Sequence, residues 1–275
     1  MSILQSIVLG LIQGITEFFP ISSSGHLVII PYFSGWDYPP LYFTVTVHFA
    51  TLLAVLTVLH RDAWRIIRGF ILGLFKKKWR KSADFKMGLY IIIATIPAVL
   101  MGLFLNDLIE SIFSKPLIVA VFLLVTAFIL WGGEYRGRKV KQNKSLTYIS
   151  SLASGIGQAL AVFPGISRSG ASISFARFFG IKREAAVKFS FLLSIPIILG
   201  SFVFELSRSG STVFSGGENT VLILFAGLVS AYLAGFFAIK YLLYLTKKKN
   251  LNIFAIYCIC LSIAIFVFYI VNNNI

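Results

Sequence analysis

Hydrophobic residues run along this chain in long stretches that short polar segments separate. Each uninterrupted stretch is close to the roughly 20 apolar residues that a helix needs to cross a bilayer. The pattern therefore predicts six spanning helices, at roughly 42–60, 88–105, 117–133, 187–204, 220–245 and 251–271.

Two further apolar stretches, roughly 1–30 and 147–180, are interrupted in their middle by Pro, Gly and Ser. Neither is long enough for two full spans. Non-helical backbone at membrane depth is tolerated where protein or a water-filled cavity surrounds it. We therefore expect each stretch to form a re-entrant hairpin, in which a second short helix returns to the side where the first one entered.

The two interrupted stretches resemble each other. GLIQGITEFFPISSSG (10–25) and GIGQALAVFPGISRSG (155–170) share G-x-x-Q, then F-P, then a serine-rich turn and Gly. Downstream, HFATLLAV (48–55) matches KFSFLLSI (188–195) in the same order. Three spans follow each hairpin, an odd number, so two such repeats must be inverted relative to each other.

We therefore predict an all-α polytopic membrane protein with an inverted-topology repeat, six spanning helices and two re-entrant helical hairpins. Residues 1–275 form a single integral membrane domain, with repeat one at about 1–133 and repeat two at about 147–271. Broken helices in such repeats converge near the bilayer midplane. The two polar breaks should therefore meet.

Composition agrees with a membrane protein, because 57% of the residues are hydrophobic and 13% are charged. A net charge of +15 would suit nucleic acid, but the basic residues cluster at 60–86, 135–144 and 247–249 between apolar runs. Membrane orientation leaves this distribution. We expect no nucleic-acid partner and place these clusters in the cytoplasm. The loops that alternate with them then lie outside, at 36–40, 105–115 and 205–219.

Glu17 is the acidic residue that lies inside an apolar segment. Ionisable groups at membrane depth are costly, so a functional role is favoured over a packing role. Gln13 lies one helical turn earlier on the same face. The two side chains should act together.

The serines Ser22, Ser23 and Ser24 precede Gly25 and a short apolar segment. They should lie at a helix N-terminus, which attracts phosphate, although an ordinary serine cap is the simpler alternative. His26 follows Ser23 by three positions, which predicts a nucleophile and a base within reach. His48 and His60 are weaker candidates.

The second break, PGISRSGAS at 164–172, carries Arg168 between Ser167 and Ser169. Arginine suits bidentate recognition of phosphate, and it could also act as the counter-ion of Glu17. Together the two breaks predict a phosphate site within a lipid environment.

At these residues the sequence resembles the undecaprenyl-diphosphate phosphatase family, the bacitracin-resistance membrane phosphatases of bacteria. The first family motif stands here as QGITEFFPISSSGH and the second as PGISRSGAS. The resemblance implies hydrolysis of undecaprenyl diphosphate to the monophosphate, recycling of the lipid carrier for cell-wall polymers, bacitracin resistance and dependence on Mg²⁺ or Ca²⁺. It places the protein in the bacterial plasma membrane among membrane lipids, with its site open to the outer face. A homodimer is left open.

The resemblance also assigns roles to the motif residues. Glu17 would be the essential carboxylate and the metal ligand, Ser23 and His26 the nucleophile region, and Arg168 the phosphate clamp. Whether Ser23 or His26 is the nucleophile is left open. Substrate-binding positions would be Gln13, Ser22, Ser24, Gly25, Gly165, Ser167, Ser169 and Ser172.

Two alternatives compete with this interpretation. Phosphatidic-acid phosphatases also use SGH and SR motifs, but they need a histidine after the arginine, and all three histidines here precede Arg168. Inverted repeats with broken helices are also typical of transporters, so a lipid-phosphate flippase is the second candidate. A purely structural role would leave Glu17 and Arg168 unexplained.

Overall fold

The computed structural model describes residues 1–105, 112, 115–140, 145–215 and 217–273, of which 208–215, 217–218 and 273 are described by their backbone alone. Within these residues a short 3₁₀ helix covers Lys77–Lys81, and the remaining regular structure is α-helical. The helices are α1 (Ile3–Phe18), α2 (Ser23–Ser34), α3 (Leu41–Val58), α4 (His60–Phe75), α5 (Ala83–Phe104), α6 (Pro116–Lys139), α7 (Tyr148–Leu160), α8 (Arg168–Phe178), α9 (Arg183–Ser215), α10 (Gly217–Lys248) and α11 (Asn252–Asn273).

Six of these helices are long and apolar enough to cross a membrane. They are the six predicted from hydropathy, and the all-α polytopic fold is confirmed. The spans are Leu41–Val58, Ala83–Phe104, Pro116–Lys139, Arg183–Ser207, Asn219–Lys248 and Asn252–Asn272.

The two interrupted stretches form helix pairs, as predicted. Helices α1 and α2 contain 16 and 12 residues, and α7 and α8 contain 13 and 11. All four are shorter than a full bilayer crossing requires. The breaks between them lie at 19–22 and 161–167, at the Pro, Gly and Ser residues that interrupt the apolar pattern.

The first helix of each hairpin packs against a spanning helix of the other predicted repeat, as an inverted repeat would suggest. Helix α1 packs along α10, and its counterpart α7 packs along α5. The matched glycines of G-x-x-Q lie at these two crossings. A Cβ on Gly10 would come within 2.6 Å of the carbonyl oxygen of Gly227, and one on Gly155 within 2.6 Å of Ala94 Cα. The repeat boundaries themselves stay a prediction.

The basic segment 60–86 was expected to be a loop, and this is wrong for most of its length. It contains α4, whose exposed apolar residues Trp64, Ile67 and Ile71 recur at helical spacing. The opposite face packs on α5, and Arg65 Nε lies 3.0 Å from Asp84 Oδ1. Clustered basic charge indicates which side of the membrane a segment faces, but it does not exclude a helix there, because an amphipathic helix can lie at the membrane surface.

The segment 205–219 was also expected to be a loop, yet α9 continues to Ser215 and α10 begins at Gly217. Loop 36–40 is non-helical, as predicted. The other two basic clusters were also expected to be loops, but 135–139 belong to α6 and 247–248 to α10. Most of the predicted outer loop 105–115, and residues 141–144, lie outside the described residues. Helices α6 and α10 end at the same end of the bundle at which α9 and α11 begin. We call this the basic end.

Candidate active site

The turns of the two hairpins contact each other, as the sequence predicts. The backbone N–H of Gly165 donates to Ser22 Oγ at 3.1 Å. In the reverse direction, Ser169 Oγ donates to the carbonyl oxygen of Phe19 at 3.3 Å. Two hydrogen bonds therefore join breaks that lie 143 and 150 positions apart in the sequence.

Glycine is required where the turns approach each other. Gly165 has a φ of 103°, and a Cβ there would come within 2.6 Å of the carbonyl oxygen of Val119. A Cβ on Gly25 would lie 3.3 Å from Gly165 Cα. Both glycines are among the residues that the resemblance assigned to substrate binding, and their observed contacts are between the turns.

Serine caps position the second helix of each pair. Ser22 accepts a hydrogen bond from the N–H of Gly25 at 3.3 Å, and Ser167 accepts one from Gly170 at 3.1 Å. Each hydroxyl satisfies one of the free N–H groups of a first helical turn. Ser22 holds a φ of 68°, which is uncommon for a residue other than glycine. The simpler alternative of a capping role therefore holds for Ser22, and Ser167 caps α8 in the same way.

Glu17 lies at the centre of the meeting point. Its Oε1 accepts a hydrogen bond from Arg168 Nη2 at 2.5 Å. Its Oε2 accepts one from Ser23 Oγ at 2.6 Å and one from Gln13 Nε2 at 2.9 Å. Three predicted site residues, from both hairpins, thus converge on the buried carboxylate of Glu17.

His48, which the sequence ranked as a weaker candidate, also reaches this carboxylate. Its Nε2 lies 3.5 Å from Glu17 Oε2, and its Nδ1 is 2.8 Å from the carbonyl oxygen of Thr44. Since a carbonyl oxygen only accepts, His48 donates from Nδ1 to Thr44. Helix α3 therefore adds an imidazole to a site that we expected from the two hairpins.

Helix α9 supports Arg168 from the other side. Arg168 Nη1 donates to the carbonyl oxygen of Ser190 at 3.2 Å. The hydroxyls of Ser172 and Ser190 lie 2.6 Å apart, and Ser172 Oγ also lies 2.8 Å from the carbonyl oxygen of Arg168. These contacts fix the direction of the guanidinium, so Ser172 positions Arg168.

Helix α6 holds the second turn through one threonine. The N–H of Ser167 donates to Thr126 Oγ1 at 3.0 Å, and this hydroxyl donates to the carbonyl oxygen of Gly165 at 2.8 Å. Ser167 Oγ lies 3.2 Å from Ser169 Oγ. Sequence reasoning missed Thr126, because a threonine inside an apolar span carries no local signal of this contact.

His26 lies beside the site but does not pair with Ser23 as expected. Its Nδ1 lies 2.7 Å from the carbonyl oxygen of Ser22, and its Nε2 lies 2.8 Å from the hydroxyl of Tyr257. The proton therefore lies on Nδ1, and Nε2 accepts from Tyr257. The hydroxyl of Ser23 donates to Glu17 instead.

The side chains of the site differ in how much of their surface is exposed. Arg168 and His48 have 16% and 25% of their side chains exposed. Ser23 and Ser24 are also partly exposed, whereas Glu17 is buried. A ligand that enters this site would meet the serines, the guanidinium and the imidazole before the carboxylate.

Comparison with known proteins gives a match over nearly the whole chain. A family model described as bacitracin resistance protein BacA matches residues 6–264. An undecaprenyl-diphosphatase of Nocardioides sp. is 40% identical over 263 residues, which cover 95% of this chain and 94% of that protein. Each residue that converges on Glu17 lies within the matched range.

Two further relatives have the same name. The undecaprenyl-diphosphatase of Methanobrevibacter smithii is 40% identical over 274 residues and covers 97% of both chains. That of Korarchaeum cryptofilum is 39% identical over 268 residues, which cover 96% of this chain and 98% of its own. The family expected from the two hairpin motifs is confirmed, and the chain belongs to the bacitracin resistance protein BacA family.

Proposed function

We propose that this protein hydrolyses undecaprenyl diphosphate to undecaprenyl phosphate and inorganic phosphate. The relatives above are named for this activity. The observation that carries the proposal is the convergence of Ser23, Arg168 and Gln13 on Glu17, which unites a hydroxyl nucleophile, a carboxylate and a phosphate-binding cation. The reaction recycles the lipid carrier for peptidoglycan and other cell-wall polymers and underlies bacitracin resistance.

Substrate binding rests on Arg168 and two helix N-termini. Helix α8 begins at Arg168 and α2 at Ser23, so free N–H groups of both helices lie next to the site. Helix N-termini attract phosphate, and a guanidinium binds it in a bidentate manner. The partly exposed Arg168 therefore holds the terminal phosphate beside Ser23.

Ser23 is the nucleophile in this proposal. Its Oγ attacks the terminal phosphorus, the anhydride bond breaks, and undecaprenyl phosphate leaves with the bonding electrons. Glu17 Oε2, 2.6 Å from the hydroxyl, takes the proton of Ser23. A water molecule then attacks the phosphoserine, which releases inorganic phosphate and restores the serine.

This assignment changes the role that we expected for His26. A carboxylate, and not the imidazole, accepts the hydrogen bond from Ser23. His26 as the nucleophile would have to break the contact between its Nε2 and Tyr257. The geometry therefore favours Ser23 over His26 and gives His26 a positioning role beside the first turn.

A divalent cation, Mg²⁺ or Ca²⁺, is part of the proposal. The donor set fits a hard cation, because Gln13 Oε1 is buried without a hydrogen-bond partner among the described residues, and Gln13 Nε2 is bonded to Glu17. Oxygen atoms of one or two protein groups together with substrate phosphates suffice to hold Mg²⁺. Gln13 and Glu17 would bind the cation, which would offset phosphate charge.

The test is phosphate release from undecaprenyl diphosphate by the purified protein in detergent. We expect activity in the wild type that is lost with chelator and restored by Mg²⁺ or Ca²⁺. Arg168→Ala should be inactive while eluting as a folded protein. A folded wild type that releases no phosphate would overturn the proposal and favour the transport alternative, which flipping assays in liposomes would then address.

The protein is a multi-pass membrane protein, and we place it in the bacterial plasma membrane with the site open to the outer face. The positive-inside rule supports this orientation, because the basic end would then face the cytoplasm. A homodimer stays a prediction, and cross-linking in membranes would address it.

A further inference from the structure

A second charged cluster lies at the basic end, at the opposite end of α8 from Arg168. Arg183 binds Glu134 in a bidentate manner, with Nε 2.8 Å from Oε1 and Nη2 2.7 Å from Oε2. Arg177 also approaches Glu134, with Nη2 3.5 Å from Oε2. Glu134 and Arg177 are 2% and 1% exposed. The cluster is therefore built into the interior and is not a solvated surface pair.

The cluster holds more positive than negative charge. Glu134 has one carboxylate, and the closer guanidinium of Arg183 already engages both of its oxygens. Arg177 has only longer contacts, 3.5 Å to Glu134 and 3.4 Å from Nη1 to the carbonyl oxygen of Ile181. Its Nε is buried without a hydrogen-bond partner among the described residues. A buried cation with an unused donor calls for an anion.

A cleft of about 240 Å³ opens at this point. Its lining combines the two guanidiniums with two lysines and one carboxylate, and the lining residues are Arg177, Lys182, Arg183, Glu184, Thr246 and Lys247. Four cations therefore face Glu184 and, behind the lining, Glu134. Helix α9 begins at Arg183, so its free N–H groups also lie at the cleft.

We propose that this cleft binds a phosphate group, presented either by an anionic phospholipid headgroup or as inorganic phosphate. Guanidiniums, lysines and a helix N-terminus are the groups that recognise phosphate in proteins. Basic pockets between membrane helices bind anionic headgroups in the same way. The site lies at the opposite end of α8 from Arg168 and does not depend on the proposed hydrolysis.

The test uses native mass spectrometry of the full chain in detergent, with equal amounts of phosphatidylglycerol and phosphatidylcholine. The variant is the double substitution Lys182→Gln and Lys247→Gln, which leaves the buried arginines in place. The matched control is Lys248→Gln and Lys249→Gln, which removes the same charge from exposed positions that do not line the cleft. A second arm measures binding of radiolabelled inorganic phosphate to the same proteins.

We expect the wild type to retain phosphatidylglycerol in preference to phosphatidylcholine. The cleft variant should bind it about 25-fold more weakly, since each lysine near a headgroup contributes about fivefold, and the control should bind as the wild type does. Loss of inorganic phosphate binding alone would identify free phosphate as the ligand. Binding of neither ligand by the wild type, or equal losses in variant and control, would overturn the proposal.

Discussion

Arg168 donates to Glu17 at 2.5 Å and thereby joins α1 to α8 across 151 positions of the sequence. Only 5% of the Glu17 side chain and 16% of the Arg168 side chain are exposed. A buried ion pair contributes little net stability when both partners are present, but removing one partner leaves an uncompensated charge. The pair therefore couples the integrity of the fold to the chemistry of the site.

Replacing the two residues singly and together separates these two roles. Glu17→Gln and Arg168→Gln should each destabilise the protein, by about 3 kcal/mol, because each leaves one buried charge unpaired. The double variant should lose clearly less than the sum. Phosphate release should be absent from all three. Thermal unfolding in detergent and the hydrolysis assay measure the two effects.

A double variant that is as unstable as the sum of the single ones would contradict the pairing. Recovery of hydrolysis in the double variant would contradict the roles proposed for Glu17 and Arg168, because a neutral amide cannot take the proton of Ser23.

Ser23→Ala should abolish turnover, since it removes the attacking oxygen. Loss of a nucleophile costs on the order of 10⁴-fold or more in kcat. Ser24→Ala is the matched control, because Ser24 is also partly exposed and its hydroxyl lies 3.4 Å from Ser22 Oγ. We expect the control to retain activity within about tenfold, as loss of one neutral hydrogen bond allows.

Rapid acid quench of the wild type with substrate labelled in its terminal phosphate should give labelled protein, and peptide mapping should locate the label at Ser23. Label on His26 would instead make the imidazole the nucleophile and would reverse the assignment drawn from the geometry.

Tyr257→Phe removes the hydroxyl that donates to His26 and leaves the ring, which stacks on the imidazole at a centroid distance of 5.8 Å. We expect a decrease in kcat of about tenfold, the size of one neutral hydrogen bond, with little change in KM. Tyr244→Phe, which removes only a hydroxyl that contacts Lys248, should behave as the wild type. Equal activity of both variants would remove His26 from the positioning of the first turn.

Gly165→Ala should destabilise the protein because it imposes a side chain where φ is 103° and the carbonyl oxygen of Val119 would lie 2.6 Å away. We expect a loss of about 2 kcal/mol or more and a matching loss of activity. Gly200→Ala is the control, since nothing lies within 4 Å of its added Cβ. That variant should be neutral or slightly stabilised, which thermal unfolding would show.

Orientation can be measured by cysteine labelling in intact cells. In a background that lacks Cys258 and Cys260, Asp37→Cys should react with a membrane-impermeant maleimide, and Lys78→Cys should react only after permeabilisation. The positive-inside rule is the physical reason. The reverse pattern would place the basic end outside and would move the proposed site to the cytoplasmic face.

Much of the architecture could be predicted because hydropathy and helix-breaking Pro, Gly and Ser residues are local signals in the sequence. Glu17 was identified because a carboxylate inside an apolar helix is energetically costly and therefore suggests a function. The internal repeat indicated that it would lie near Arg168. Neither inference required knowledge of side-chain packing. Both are supported by the contacts of the two turns.

What the sequence could not show depends on tertiary contacts. Tyr257 is one of 11 tyrosines, and nothing around it indicates that its hydroxyl reaches His26. Helical spacing placed Ser23 and His26 on related faces, but the imidazole bonds to the carbonyl oxygen one turn earlier. Helix α4 was missed because its many charges indicated a solvated loop, although its apolar residues follow a helical period.

The two similar halves of the chain contribute different functional groups to the contacts around Glu17. Ser23 and Arg168 occupy equivalent places in the two turns, whereas the position equivalent to Glu17 in the second half is Val162. One half brings the anion and the other brings the cation. The two predicted repeats therefore do not form two separate phosphatase sites. The two halves complement each other instead, because Arg168 of one half pairs with the buried Glu17 of the other. Neither half alone would have its charge paired within the membrane.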